Sequence, residues 1–309
     1  MRIEPLAASS RALLRAFNLL PAAWAEESLA LGALAQGLLR PSRRRRAHRW
    51  AASQPAVRDP RQLTRALLAE RGRFLAAATQ VGVRDPEHLR RRVVVEGSER
   101  LDAAARRGGI LLVGLHLGSA ATALALKVAG YPVVFTGRGR GPLWPRAPAR
   151  WIVPAAEDLI QWTDVASRII ALRRIQRRLL AGGLVYMAAD GDGQDAFSIG
   201  LPGGDVAVRA GWLAVRRTPN VTALPVLAHT ESGRLHVQVH PPFPESLADR
   251  EAEIVACRAH LAPIVGEFVR RWPAQCFMLA LGRADGAAAP PLDGSPTGRG
   301  GQTAANTSS

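Results

Sequence analysis

Short apolar runs alternate with amphipathic segments along most of this chain. Within residues 93–136, the pattern predicts strands at Val93–Val95, Ile110–Leu115 and Val133–Phe135, a helix that begins at Ser98, and a second helix at Ala120–Ala129. Gly130 directly follows the second helix, as glycine often does at a helix C terminus. The order strand, helix, strand, helix, strand is typical of a parallel sheet.

The same two periodicities continue on both sides of this stretch. Helical patterns cover 11–40, parts of 59–92, Asp164–Leu180, Val206–Thr218 and Leu247–Arg271, and strand patterns cover Leu184–Ala188, Val221–Leu227 and Leu235–Val239. Pro225 lies inside one of these strands, which predicts an edge strand or a bulge there. The whole pattern predicts an α/β fold: a mixed, mostly parallel sheet with helices on both faces, preceded by N-terminal amphipathic helices.

Three regions follow from this pattern: amphipathic helices at 1–58, an α/β domain at 59–283, and a Gly- and Pro-rich tail at 284–309 that we expect to be disordered. In the first region, Glu26 and Glu27 would be costly inside a bilayer, and Arg43–Arg46 follow soon after. This combination is typical of a helical hairpin on an anionic membrane surface, although a helix that packs on a core shows the same pattern. The N terminus lacks the continuous apolar run of a signal peptide, which predicts exposure to the cytosol.

The chain is strongly basic, with 41 Lys and Arg against 25 Asp and Glu and a net charge of +16. Such a balance predicts an acidic partner: nucleic acid, an anionic membrane or an acidic protein. Nucleic acid is the least favoured, because aromatic residues make up only 5% and no aromatic-interleaved basic stretch or zinc-ligand spacing is present. Cys257 and Cys276 also lack metal-ligand spacing, and we expect both to be buried and reduced.

His116 is the main candidate for catalytic chemistry. It follows the apolar run Ile110–Leu115 and precedes Gly118 and Ser119 at the start of the next predicted helix. Ligands of open α/β sheets gather at the carboxyl ends of parallel strands. An imidazole at that edge can accept a proton from a hydroxyl while backbone N–H groups stabilise a developing oxyanion. A single histidine is, however, more often a loop or capping residue.

The sequence from Val93 to Arg138 resembles the catalytic region of the bacterial lipid A late acyltransferases, the lauroyl and myristoyl transferases of the lysophospholipid acyltransferase superfamily. The resemblance spans roughly residues 40–283 as a pattern, and it implies a glycerolphosphate-acyltransferase-like α/β fold. The motif of that superfamily is a histidine, four residues, and then Asp or Glu. Counted from His116, the carboxylate position is occupied by Ala121.

The resemblance also implies roles for individual residues. His116 would be the general base, and the backbone N–H groups after it, with Ser119 as a substrate-binding residue, would stabilise the oxyanion. Arg138 matches an arginine that the family carries just after the equivalent strand, and with Arg140 it would contact a phosphate of the acceptor or of the donor's phosphopantetheine. A solvated, Gly- and Pro-rich loop is the alternative reading for the two arginines.

A replacement for the missing carboxylate is predicted in the acidic cluster that follows the strand Leu184–Ala188. Asp190 matches an aspartate at the similar point in the family, and Asp192 lies two residues further on. Because parallel strands end at the same edge, either aspartate could lie close to His116 and orient it. A turn shaped by Asp and Gly is the alternative. The cluster does not fit a calcium-binding loop, and we expect neither a metal nor a bound cofactor.

By this resemblance the chain is expected to move a fatty acyl group from an acyl carrier protein or coenzyme A thioester to a hydroxyl or amine of a lipid, either lipid A-like or a phospholipid. It would act on the cytoplasmic side of the inner membrane as a peripheral or monotopic protein. The expected partners are the donor thioester, the lipid acceptor and an anionic membrane surface, with no nucleic acid. Ala121 supports an alternative, a catalytically impaired relative that binds lipid or acyl carrier protein.

Overall fold

The computed structural model describes residues 20–80, 87, 90–118, 122–138, 159–162, 165–191 and 195–281. Its elements are α1 (Ala22–Leu38), α2 (Pro41–Ala52), α3 (Pro60–Gln80), β1 (Val93–Glu96), α4 (Ser98–Ala105), β2 (Gly109–Gly118), α5 (Thr122–Val128), β3 (Val133–Arg138), β4 (Leu159–Trp162), α6 (Val165–Leu180), β5 (Leu184–Ala188), β6 (Ala196–Ile199), β7 (Val206–Arg209), α7 (Gly211–Arg216), β8 (Val221–Glu231), β9 (Arg234–Val239), α8 (Arg250–Arg271), a 3-10 turn (Pro273–Gln275) and α9 (Phe277–Leu281).

Seven strands form one mixed sheet in the order β1-β9-β8-β2-β5-β3-β4. Every neighbouring pair is parallel except β8 and β9, which form an antiparallel hairpin. Strands β8, β2, β5, β3 and β4 therefore end at one common edge, with β2 and β5 side by side in its middle. This arrangement confirms the predicted α/β class with a mostly parallel sheet preceded by helices.

β2 is apolar along its length because both faces of the sheet are covered. Leu111, Val113 and Leu115 belong to an apolar layer shared with α3, α6 and α8, while Ile110 and Leu112 belong to a second layer shared with α4 and α5. Successive side chains of a strand point to opposite faces, so one continuous apolar run supplies both layers. The helices thus fix β2 from both sides.

The N-terminal helices pack on the rest of the chain as well as on one another. α1 lies against α3, where Glu27 forms an ion pair with Arg73 at 3.2 Å. Glu26 forms a second ion pair with Arg92 at 2.8 Å, just before β1. The two glutamates that argue against a membrane-spanning segment therefore have partners on the protein.

The predicted helix Val206–Thr218 is wrong in its first part. Val206–Arg209 is strand β7, paired with β6 in a two-stranded antiparallel hairpin, and only Gly211–Arg216 is helical. Of the two alternatives predicted at Pro225, the edge strand is wrong because β8 is an interior strand, whereas the β2–β8 pairing does shift in register between Val226 and Ala228. Proline has no backbone N–H to donate to a neighbouring strand. The interior position is tolerated because the β8–β9 ladder begins one residue later, at Val226, so that Pro225 lies at the end of this ladder.

Candidate active site

His116 and Asp190 are in direct contact at the carboxyl edge of the sheet. The Nδ1 atom of His116 is 2.7 Å from Oδ1 and 3.0 Å from Oδ2 of Asp190, and the backbone N–H of His116 donates to Oδ1 at 3.0 Å. One carboxylate therefore holds both the ring and the main chain of the histidine. The pair joins two adjacent strands across 74 residues of sequence.

His116 lies within β2, which continues to Gly118, and not just past the strand as the apolar run suggested. The pairing of β2 with β8 is regular to Gly114 and shifts in register before Gly118. The histidine is thus in an irregular segment of the strand, near its end. The imidazole is 36% exposed and the Asp190 side chain 17%, so the ring remains accessible while its partner is mostly enclosed.

Asp190 is held in place by the β6–β7 hairpin, which lies beyond the end of β5. Ala189 donates to the carbonyl of Gly114 on β2 at 2.8 Å and accepts from Arg209 at 2.6 Å. Gly191 donates to the carbonyl of Ala207 at 2.8 Å, and Asp190 itself forms an isolated bridge with Val208. The residues on both sides of the aspartate are therefore hydrogen-bonded through their main chains, which fixes the direction of its side chain.

Tyr186 fills the space behind the pair. Its phenol ring lies where a Cβ on Gly114 would be, with the nearest contact at 2.3 Å, so only glycine fits at that position. Its hydroxyl forms a hydrogen bond with the side chain of Thr122 at the start of α5. Burial raises the pKa of Tyr186, and the nearby charge of Asp190 raises it further, so the phenol stays protonated.

A carboxylate at Nδ1 favours the imidazole tautomer that carries its proton on Nδ1, which leaves Nε2 free to accept one. The carboxylate that contacts His116 comes from Asp190, just after the adjacent strand β5, whereas the motif position is held by Ala121. The arrangement is suited to general base chemistry.

The remaining predicted site residues are placed only in part. Arg138 is the last residue of β3, the strand beyond β5, and its backbone pairs with Trp162 of β4. By strand spacing, β3 is about 10 Å from β2. Ser119, Arg140 and Asp192 lie outside the described residues. The predicted roles of all four residues stay predictions.

One group of possible metal ligands occurs in the described part of the chain, at the β8–β9 hairpin. Ligand atoms of His229, Glu231 and His236 lie within 4.8 Å of one another. His236 Nδ1 is already 2.9 Å from Glu96, and the ring of His229 stacks on Trp272 with centroids 3.7 Å apart. These contacts give His236 and His229 structural partners. That the reaction needs no metal remains a prediction.

Two features of the chain escaped sequence reasoning. Tyr186 looked like an ordinary residue of an apolar strand, and no local signal connects it with Gly114. Glu253 is buried at 1% exposure between α7 and α8, where it contacts Arg216 and Arg217. A charged residue on the apolar face of a predicted helix could have indicated this buried ion-pair network.

The fold and the histidine–carboxylate pair together define an α/β protein equipped for acid–base transfer chemistry at the carboxyl edge of a parallel sheet. The chain belongs to the bacterial lipid A biosynthesis acyltransferase family, whose model matches residues 9–281. This match confirms the resemblance seen in the sequence and supports, in general terms, acyl transfer to a lipid acceptor. No curated protein matches the chain.

None of the helices that the structure describes combines the length and the apolar character needed to cross a membrane.

Proposed function

We propose that this chain transfers a fatty acyl group from an acyl carrier protein or coenzyme A thioester to a hydroxyl or amine of a lipid acceptor, lipid A-like or phospholipid. The observation that carries the proposal is the 2.7 Å contact between His116 Nδ1 and Asp190 Oδ1 in a member of an acyltransferase family. It supplies an oriented base at a site where the motif position holds Ala121. No bound cofactor takes part, because the acyl thioester is a co-substrate.

The reaction proceeds in two proton-coupled steps. Nε2 of His116 accepts the proton of the acceptor group as its oxygen or nitrogen attacks the thioester carbonyl, and Asp190 stabilises the imidazolium that results. Backbone N–H groups near the end of β2, with Ser119, stabilise the tetrahedral oxyanion. The C–S bond then breaks, and the leaving thiolate takes the proton from His116. The base is restored and the acylated lipid is released.

The other predicted residues would bind the substrates. Arg138 and Arg140 hold a phosphate of the acceptor or of the donor's phosphopantetheine, since a guanidinium can donate two parallel hydrogen bonds to phosphate. Asp192 assists Asp190 in the acidic turn after β5. The position of Arg138 at the carboxyl end of β3, two strands from His116, supports a contact with substrate at the same edge.

We further propose that the protein works at the cytoplasmic side of the inner membrane, bound peripherally or monotopically through its N-terminal helices. Trp24, Leu31 and Leu38 recur at seven-residue spacing along α1 and are 68%, 64% and 40% exposed. Large apolar side chains in one exposed stripe are typical of a helix that lies at a lipid interface. The arginines 43–46 of α2 follow directly and would face anionic headgroups.

A second candidate function is a catalytically impaired relative that binds lipid or acyl carrier protein. The observation in its favour is Ala121 at the motif position. An acyltransferase would produce an acylated lipid only when His116 is present, whereas a binding protein would produce none.

Mass spectrometry of total lipids tests both. Cells would express the wild-type chain, the His116→Ala variant or neither, with protein levels verified by immunoblot. We expect an acylated lipid that appears only with the wild type, and its mass identifies the acyl chain and the acceptor. Identical lipid profiles from all three cultures would favour the binding function. His260→Ala serves as the histidine control and should retain the new lipid, because this half-buried ring in α8 contacts Phe243 and the carbonyl of Pro241 and not the His116–Asp190 pair.

A further inference from the structure

A basic groove of about 830 Å³ is formed mainly by α2 and α3, and its lining does not include His116. Six arginines line it: Arg44, Arg45, Arg46 and Arg49 from α2, and Arg61 and Arg65 from α3. Among the residues that the structure describes, no Asp or Glu lines the groove. This described lining therefore gathers positive charge from two helices without a carboxylate to balance it.

Five of these six guanidinium groups have no partner among the residues that the structure describes. Arg46 donates to the carbonyl of Leu281, but the side chains of the other five form no ion pair or hydrogen bond with any residue that the structure describes. Two arginines that do not line the groove differ in this respect, since Arg73 and Arg92 each pair with a glutamate. Like charges held together in this way repel one another, and a bound anion relieves the repulsion.

The walls of the groove are fixed before any ligand binds. The opposite face of α2 is buried through Ala47, Trp50 and Ala51. His48 Nδ1 lies 3.3 Å from the hydroxyl of Thr64, which joins the two walls inside the groove. Because the helices are already packed, binding costs only the ordering of arginine side chains.

We propose that this groove is a second ligand site, which binds a compound with closely spaced phosphate groups. The planar fork of arginine matches phosphate geometry, and several guanidinium groups in one concavity match a multiply charged anion better than a single carboxylate. The volume is that of a small-molecule site. No Phe, Tyr or Trp is among the described lining residues, and these residues therefore offer no stacking surface of the kind that single-stranded nucleic acid uses.

The phosphate groups can come from a soluble compound or from a lipid headgroup at the membrane surface. Titration calorimetry of the full chain with inorganic pyrophosphate tests the first source. Sedimentation with phosphatidylcholine vesicles, with and without phosphatidic acid, tests the second. Binding in either experiment that depends on the groove arginines supports the site and identifies the source.

The test variant is the double substitution Arg61→Gln with Arg65→Gln on the α3 wall. Its matched control is Arg173→Gln with Arg174→Gln, two exposed arginines of α6 with the same loss of charge. We expect the groove variant to weaken binding about tenfold or more and the control to weaken it less than about twofold. A second pair on the other wall, Arg44→Gln with Arg45→Gln, should repeat the groove result with an unchanged melting temperature.

Three outcomes would overturn the proposal. Equal losses in the groove and control variants would mean that the net charge of the whole chain, and not the groove, attracts the anion. If the chain bound neither pyrophosphate nor vesicles with phosphatidic acid, the groove would not be a phosphate-binding site. Tighter, groove-dependent binding of single-stranded RNA than of pyrophosphate would assign the groove to nucleic acid. His116→Ala should bind pyrophosphate as the wild type does, so the result is independent of the proposed acyl transfer.

Discussion

The carboxyl edge of the sheet and the basic groove both concentrate charged side chains, but they hold them in opposite ways. His116 and Asp190 form one pair whose geometry is set by the main chains of two adjacent strands. The six groove arginines are carried on long flexible side chains, and five of them form no ion pair or side-chain hydrogen bond with the residues that the structure describes. A single change should therefore have a large effect at the edge and a graded one in the groove, where salt also screens the interaction.

The largest effect is expected from His116→Gln, which keeps a polar side chain of similar size but removes the base. Acyl transfer should fall about 10³-fold or more, within the range that general base catalysis and its coupled steps contribute. The unfolding free energy should change little, because the imidazole is partly exposed. Turnover with an acyl thioester and the urea midpoint measure the two quantities. Retained turnover would contradict the assignment of His116 as the base.

Asp190→Asn should have the next largest effect. The amide keeps the shape of the side chain but neither stabilises the imidazolium nor favours the same tautomer, and the rate should fall about 10²- to 10⁴-fold. Because the two residues act as one unit, the double variant with His116→Gln should be little slower than His116→Gln alone. If the rate losses of the two single variants were additive in the double variant, Asp190 would act on a group other than His116.

Gly72→Ala tests how firmly the N-terminal helices are attached. A Cβ on Gly72 in α3 would lie 2.0 Å from the backbone carbonyl of Leu29 in α1, so the two helices must separate. We expect a loss of about 1–3 kcal/mol in unfolding free energy, or faster proteolysis of α1. Gly32→Ala is the control, since nothing lies within 4 Å of its added Cβ. It should stabilise α1 by about 0.5–1 kcal/mol through helix propensity alone.

The smallest effect is on the pH dependence of stability. Burial, and then the positive charge of Arg100, lower the pKa of His240 in the folded protein to about 4. An unfolded histidine has a pKa of about 6.5, so between these values the unfolded chain binds more protons. Stability should therefore be fully present above about pH 6.5 and decrease as the pH falls toward 4.

Urea unfolding at several pH values in that window measures the slope, and His240→Gln should reduce it. The comparison with the variant is needed because burial raises the pKa of Glu70, which favours proton binding by the folded state and opposes the effect of His240. An unchanged slope in the variant would show that His240 is not responsible.

Local sequence patterns predicted the elements that build the sheet edge. The strand at Leu184–Ala188 was predicted with the bounds that the structure has, because a pair of glycines ends the preceding helix and a continuous apolar run follows. β4 was missed since Leu159–Trp162 is only four residues long and includes a glutamine. Val206–Arg209 was assigned to a helix because so short a run of Val and Ala fits either periodicity and continues into α7.

The sequence by itself determined the fold class, the family and the position of His116 near the end of a buried strand. These follow from periodicity, composition and motif, which are local properties. It could nominate Asp190 and Asp192 as partners but could not choose between them, and the described contact with His116 is made by Asp190. That contact exists because β5 lies beside β2 in the sheet. The order of the strands depends on how whole strands and helices pack together. The same reason applies to the groove, where helix packing alone brings Arg61 and Arg65 to the arginines of α2.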